Sequence, residues 1–318
     1  MGDSGSGTRM SVQVLVLVAL TVTLFAAAGY VPVLGVIVSL LAPTPLILVA
    51  LRYGLRTGLL ALGLSLLSLT LLLGGLQSII FFAEYGVMAW TMAAAIRRRW
   101  SVEKTLLVAT AVPLVATSLV MAGLFSSADV SLSAVRQHFE RELGQTLPQY
   151  FAQEGGAVDD DLRTYIQEAL TTVVHILPAL FIITTAAGTL VNYSVVRLLW
   201  RRMEDQALFP DLALSQWQAP EFCVWVLIGS GLYVFMPLPS LRLVGLNVLL
   251  LVSLVYLVQG LCVMAFYLHK ASVHPLFRSL AYLFLVIQPL LLLGVAAFGL
   301  FDLWFDFRRL SNKREESQ

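Results

Sequence analysis

The sequence predicts an all-α fold, a polytopic bundle of transmembrane helices. Three observations carry the prediction: 58% of the residues are hydrophobic, only 12% are charged, and apolar runs long enough for a bilayer recur along the chain. A mean hydropathy of +0.85 lies outside the range of soluble globular chains. Hydrocarbon offers no hydrogen-bond partners, so each run must satisfy its own backbone amides, and a helix does this within one segment.

Nine runs emerge from a window of about twenty residues. The first, 10–29, follows Arg9 and could be taken for a secretory signal. It is read as a span, because it is as long as a bilayer core requires, lacks a small-x-small cleavage site, and leads at once into more apolar sequence. The second, 33–51, is interrupted by Pro43-Thr44-Pro45. Runs 55–73, 76–96 and 105–125 complete five spans, and a sixth, 170–196, follows a polar stretch. The last three are 221–236, 241–268 and 280–301, of which the first is short and the third contains Pro289. A re-entrant seventh run, or a ninth broken at Pro289, would reduce the count to eight. Gly29-Tyr30-Val31-Pro32, Gly74-Gly75, Pro237-Leu238-Pro239-Ser240 and His274-Pro275 punctuate the runs with turn chemistry. The resulting organisation is a six-span core over 1–200, a connector at 201–220, C-terminal helices over 221–305, and a polar charged tail at 306–318.

Between the fifth and sixth spans, the loop 126–169 is rich in acids and contains two helical patterns. Leu132, Val135 and Phe139 share one face of a helix that stops near Gly144. A second helix starts near Asp159-Asp160-Asp161, where carboxylates suit the positive end of the helix dipole, and continues into span six. Both a solvated connector and a lid over a pocket fit this pattern, with the connector favoured.

Orientation follows from lysine and arginine in short loops, which favour the cytoplasmic side. Arg9, Arg52 and Arg56, Arg97-Arg98-Arg99 with Lys104, and Arg197, Arg201 and Arg202 all fall on one face under alternate crossing. The acidic loop falls on the other. Nine full spans would then carry the tail, with Arg308, Arg309, Lys313 and Arg314, to the outer face, against the same rule.

Glu84 is the clear ionisable residue at membrane depth, and no intramembrane cation in the sequence is its obvious partner. Burying such a group costs at least ~2.5 kcal/mol on the lenient insertion scale, so a ligand contact or titrating role is its default hypothesis, weighed evenly against a structural hydrogen bond. Asn192, Asn247, Gln259 and Gln288 are further polar groups within spans, each able to bond across a helix interface. Pro113, Pro178 and Pro289 leave carbonyls unpaired.

Catalytic constellations are missing. His138, His175, His269 and His274 have no metal-site spacing, Cys223 and Cys262 read as packing residues, and Gly229-Ser230-Gly231 has no histidine at matching depth. No Walker motif is present. The chain therefore reads as neither an enzyme nor a nucleic-acid binder, and as needing no metal or cofactor.

The pattern Leu214-Ser215-x-Trp217-x-x-Pro220-Glu221 with Trp225, then Gly245-Leu246-Asn247, Gln259-Gly260-Leu261 and Gly299-x-x-Asp302-x-Trp304-x-Asp306-Phe307-Arg308, resembles the YybS-like predicted membrane proteins of bacteria. Separately, the first six spans are similar to the substrate-binding S components of energy-coupling-factor vitamin transporters, through the Pro-x-Pro second span, Arg52-x-Gly54-x-x-x-Gly58 and the long outer loop. That likeness implies a docking stripe on the first helix, which here reads Ala19, Thr23 and Ala27, with threonine in place of one alanine. It also implies a small solute or lipid held between helices by Glu84 and Asn192, with energy from ATPase partner subunits, in the bacterial cytoplasmic membrane with the N-terminus inside. The alternative is a non-transporting scaffold that recruits envelope-assembly or cytoplasmic partners.

Overall fold

Helix ends in this chain fall where the sequence places proline and glycine. The computed structural model describes residues 4–30, 34–127, 160–203, 208–209 and 217–308, and among them all regular structure is helical. The patterns around Leu132, Val135, Phe139 and Gly144 lie outside the described residues, as does the tail beyond Arg308. Among the described residues six helices are long and apolar enough to cross a membrane, and three shorter apolar ones cover Ile37–Tyr53, Phe222–Val234 and Leu290–Phe305. The polytopic helical bundle is therefore the fold, and its apolar helices follow the nine runs.

The chain divides into two compact units. The first comprises Met1–Thr146 with Thr184–Pro210. It contains α1 (Ser4–Tyr30), α2 (Leu34–Ser39), α3 (Pro43–Tyr53), α4 (Leu55–Leu73), α5 (Gly75–Phe81), a π turn (Phe82–Gly86), α6 (Val87–Arg97) and α7 (Val102–Ser127). It also takes the second half of α8 (Asp160–Met203), one 44-residue helix that starts at the acid cluster and continues past Pro178 through the sixth span. Gly54 and Gly74, both at positive φ, make the corners on either side of α4. Where α6 ends, the Arg97 guanidinium donates to the Leu51 carbonyl at 3.0 Å, closing an orphan carbonyl at the end of α3. Ser101 receives the Lys104 amide at the start of α7.

The second unit, Leu147–Ile183 with Asp211–Gln318, holds the first half of α8 and α9 (Phe222–Val234), α10 (Pro239–Lys270), α11 (Pro275–Ile287) and α12 (Pro289–Phe305). An antiparallel hairpin joins α9 to α10: a Cβ on Gly245 would meet Tyr233 and Ser230, Cys223 shares a core cluster with Val252 and Tyr256, and Ala219 reaches Gln259. Parallel packing joins α10 to α12, with backbones touching where they cross. A Cβ on Gly260 would lie 1.9 Å from the Val295 carbonyl oxygen, and one on Gly299 would lie 2.0 Å from that of Tyr256. Only glycine permits this approach, the small-residue crossing common in membranes.

The ninth run is two helices. Pro289 disfavours helical geometry at Gln288, whose φ and ψ are −113° and 89°, and α11 stops there. The segment leaves α10 at Lys270 and returns to it at the same end, where the Tyr267 hydroxyl donates to the Phe307 carbonyl at 2.8 Å. It makes no net crossing. Arg308 bonds the Trp217 carbonyl at 2.9 Å, so it lies where the chain enters α9. Of the alternatives left open by the sequence, a ninth run broken at Pro289 is the one seen: Arg308 and Trp217 share an end, because proline turns the last run back on itself.

Candidate functional site

Glu84 sits near the middle of the apolar segment Gly75–Arg97, on its single π turn. The Val87 amide reaches back to Phe82, five residues away, which marks the extra residue. Such a bulge loosens the local ladder and re-aims its side chains, and bulges of this kind gather at functional sites. Gly86 leaves room for Leu62 of α4, whose Cδ1 a Cβ would meet at 2.8 Å. Three rings pack together at the turn: Phe25 stands edge-on to Phe81 at 4.9 Å and to Tyr85 at 5.5 Å, while Phe81 and Tyr85 stack at 5.8 Å. The Tyr85 hydroxyl is hydrogen-bonded to Ser39, tying the turn to α2. Glu84 itself is half-buried, and among the described residues its carboxylate has no hydrogen bond or ion pair.

Asn192 is fully buried, and its amide is committed within the protein. Its Nδ2 donates to the Leu40 and Gly188 carbonyls, each at 2.7 Å, and its Oδ1 accepts from the Thr44 hydroxyl at 2.7 Å. These bonds mend the break that Pro43-Thr44-Pro45 makes between α2 and α3. The Thr44 amide bonds Leu41, which leaves the Leu40 carbonyl for Asn192. Glu84 and Asn192 are not brought together. Gly188 faces the end of the Met88 side chain, and each candidate sits four residues from that contact in opposite directions, about 12 Å apart along the axis at 1.5 Å per residue.

Ala19 and Thr23 are exposed on α1, away from its buried Val14, Val18, Thr21 and Val22. Ala27 differs, since its carbonyl abuts Gly35 of α2. Among the described residues no cluster of three histidine, cysteine or acidic side chains is placed to hold a metal ion. Cys223 and Cys262 are buried free thiols.

The second unit contains a charged centre that the sequence reading missed. Asp302, on the last turn of α12, is 1% exposed, and Arg308 is 3% exposed although it belongs to the charged tail by sequence. Asp306 takes a left-handed conformation at the end of α12, φ 38° and ψ 55°, and this turn folds Arg308 back. Asp302 Oδ2 then accepts from Arg308 Nη2 at 2.6 Å, from its Nε at 3.1 Å, and from Gln259 Nε2 at 3.2 Å. Gln259 Oε1 receives the Ala219 amide at 3.1 Å, just before Pro220. The ion pair and its amide partner clamp α10, α12 and the entry to α9. Asp302 Oδ1 and the Tyr256 hydroxyl are buried without a partner among the described residues. A spacing of six residues across a helix end gives no periodic signal, which is why the pair was not read from the sequence.

The family of predicted membrane proteins designated DUF2232 matches residues 19–303. The chain belongs to this family. In this DUF2232 protein the matched region takes in Glu84, Asn192 and Asp302, and stops short of Arg308. No curated protein and no solved structure matches the chain.

Proposed function

We propose that this DUF2232 protein is a substrate-binding membrane subunit whose first unit takes up a small solute or lipid through Glu84. The observation that carries the reading is a half-buried carboxylate at mid-span with no partner among the described residues, set on a π turn that packs into a cluster of three aromatic rings. An isolated acid at that depth is costly, and a ligand that donates to it or neutralises it offsets the cost. Asn192 serves the site indirectly by holding the broken α2–α3 segment in place. The reading is of binding rather than catalysis, with energy supplied by ATPase partner subunits. Basic turns support an N-terminus on the cytoplasmic side of a bacterial inner membrane.

Native mass spectrometry of the detergent-extracted complex tests the proposal, because it reports bound molecules and partners together. The expected result is a stoichiometric small molecule in the wild-type protein, lost in Glu84→Gln together with the thermal stabilisation that the ligand confers. A preparation that holds no small molecule, with Glu84→Gln melting like wild type, ends the idea. The alternative is a non-transporting scaffold; the outward Ala19 and Thr23 on α1 admit close approach of another helix in either case. Co-isolation with wall-synthesis or division proteins and no ligand selects the scaffold; co-isolation with an ATPase and its coupling subunit selects transport.

A further inference from the structure

At the basic end of the first unit, a cleft of about 310 Å³ opens between α1, α3 and α8. Its size matches the low end of small-ligand sites. Val12, Val16 and Leu48 give it an apolar wall, and Arg52, Tyr53 and Trp200 line the end toward the helix termini. Arg52 lies over the Tyr53 ring at 5.6 Å, and the Tyr53 hydroxyl donates to the Gln13 carbonyl oxygen. Gln13 keeps its amide protons as donors.

Trp200 is the informative residue. A tryptophan of an interfacial belt keeps its N–H at the headgroup level. Trp200 is instead 5% exposed, and its indole N–H is buried without an acceptor among the described residues. A buried donor without a partner is costly, so an acceptor from outside the protein is what the position lacks. The described charge nearby is mostly positive. Arg56, Arg98, Arg99, Arg201 and Arg202 are exposed at the same helix ends, with Glu103 the one acid there among the described residues. An apolar wall, a rim of donors and a surplus of cations complement a single kind of molecule: acyl chain below, anion above.

We infer that the cleft between α1, α3 and α8 holds one anionic phospholipid, its phosphate against Arg52 and the Trp200 indole N–H and its upper acyl chain along Val12 and Val16. This site is separate from Glu84, and it stands whether or not Glu84 binds a solute. A lipid held there braces the N-terminal half of α1, whose outward Val12 and Val16 otherwise face the bilayer alone.

The test uses the full-length protein in bilayers of equal phosphatidylglycerol and phosphatidylcholine with matched acyl chains, extracted gently and weighed by native mass spectrometry. One phosphatidylglycerol per chain is expected, retained over phosphatidylcholine by roughly tenfold, the factor for about 1.4 kcal/mol of selective interaction. Trp200→Phe keeps the ring and removes the donor, and Arg52→Gln removes the charge; each brings the ratio toward one. Arg56→Gln, at the same end but outside the cleft, leaves it unchanged. If Arg52→Gln does not fold, Trp200→Phe alone decides. The inference is overturned if Trp200→Phe keeps the selectivity, or if Arg56→Gln erodes it equally, which means diffuse surface attraction. Full competition by inorganic phosphate, or a lipid-free dimer that covers the cleft, overturns it as well.

Discussion

Individual polar side chains in this protein are occupied mainly in mending the backbone. Pro178 removes a donor from α8, and the two groups that would pair in an unbroken helix, the Ala179 N–H and the His175 carbonyl, both bond the Asn247 amide, at 3.1 and 3.0 Å. Asn192 does the same for the Leu40 carbonyl, and Gln259 for the Ala219 amide before Pro220. In hydrocarbon such freed groups find no water, so an amide from a neighbouring helix is the available remedy. The Asp302–Arg308 pair obeys a harsher rule, since desolvation makes either charge alone far worse than both together. Arg308→Met is expected to destabilise the protein by about 3–5 kcal/mol by stranding a buried carboxylate. The double variant Asp302→Leu with Arg308→Met recovers most of that loss, as thermal or denaturant unfolding in detergent would report. Equal destabilisation by the single and double variants would show that the charges do not compensate each other.

At the scale of elements, contact between helices is set by small residues more than by hydrophobicity, because lipid is as apolar as leucine. The crossing of α10 and α12 allows a direct contrast. A Cβ at Gly299 would lie 2.0 Å from the Tyr256 carbonyl oxygen, whereas at Gly294, in the same helix, it would meet nothing within 4 Å. Gly299→Ala should therefore cost about 1–3 kcal/mol through forced separation, while Gly294→Ala should be neutral or slightly stabilising through helix propensity. Melting temperatures of the two variants, side by side, check this; equal melting would mean the crossing tolerates a side chain. The apolar runs themselves were legible in the sequence, since length and hydropathy decide them. So was the start of α8 at Asp160, where acids meet a helix N-terminus. Glu84 stood out as a lone carboxylate, but its π turn did not, because a one-residue bulge leaves the hydrophobic pattern almost unchanged. Asn192 read equally well as a ligand contact or a helix bond, and only the geometry of the α2–α3 break shows where its amide goes.

Over the whole molecule, the uncertain quantity was parity: how many times the chain crosses, and so where it ends. Counting runs could not settle it, because 280–301 has the length of one span and the structure of a bent pair. The second unit resolves this through Tyr267 and Phe307, which bring the ends of that pair together. Cysteines introduced at the exposed Ser240 and Ser272, at opposite ends of α10, should label from opposite sides of the membrane, and a tag fused after Gln318 should share the side of Ser272. A tag on the side of Ser240 would contradict the shared end of Arg308 and Trp217. The bent pair from Pro275 to Phe305 is also neutral toward insertion. A piece that departs and arrives on one side can be lengthened, trimmed or exchanged without inverting any helix made before it, so the orientation of the protein is already decided when α10 is complete.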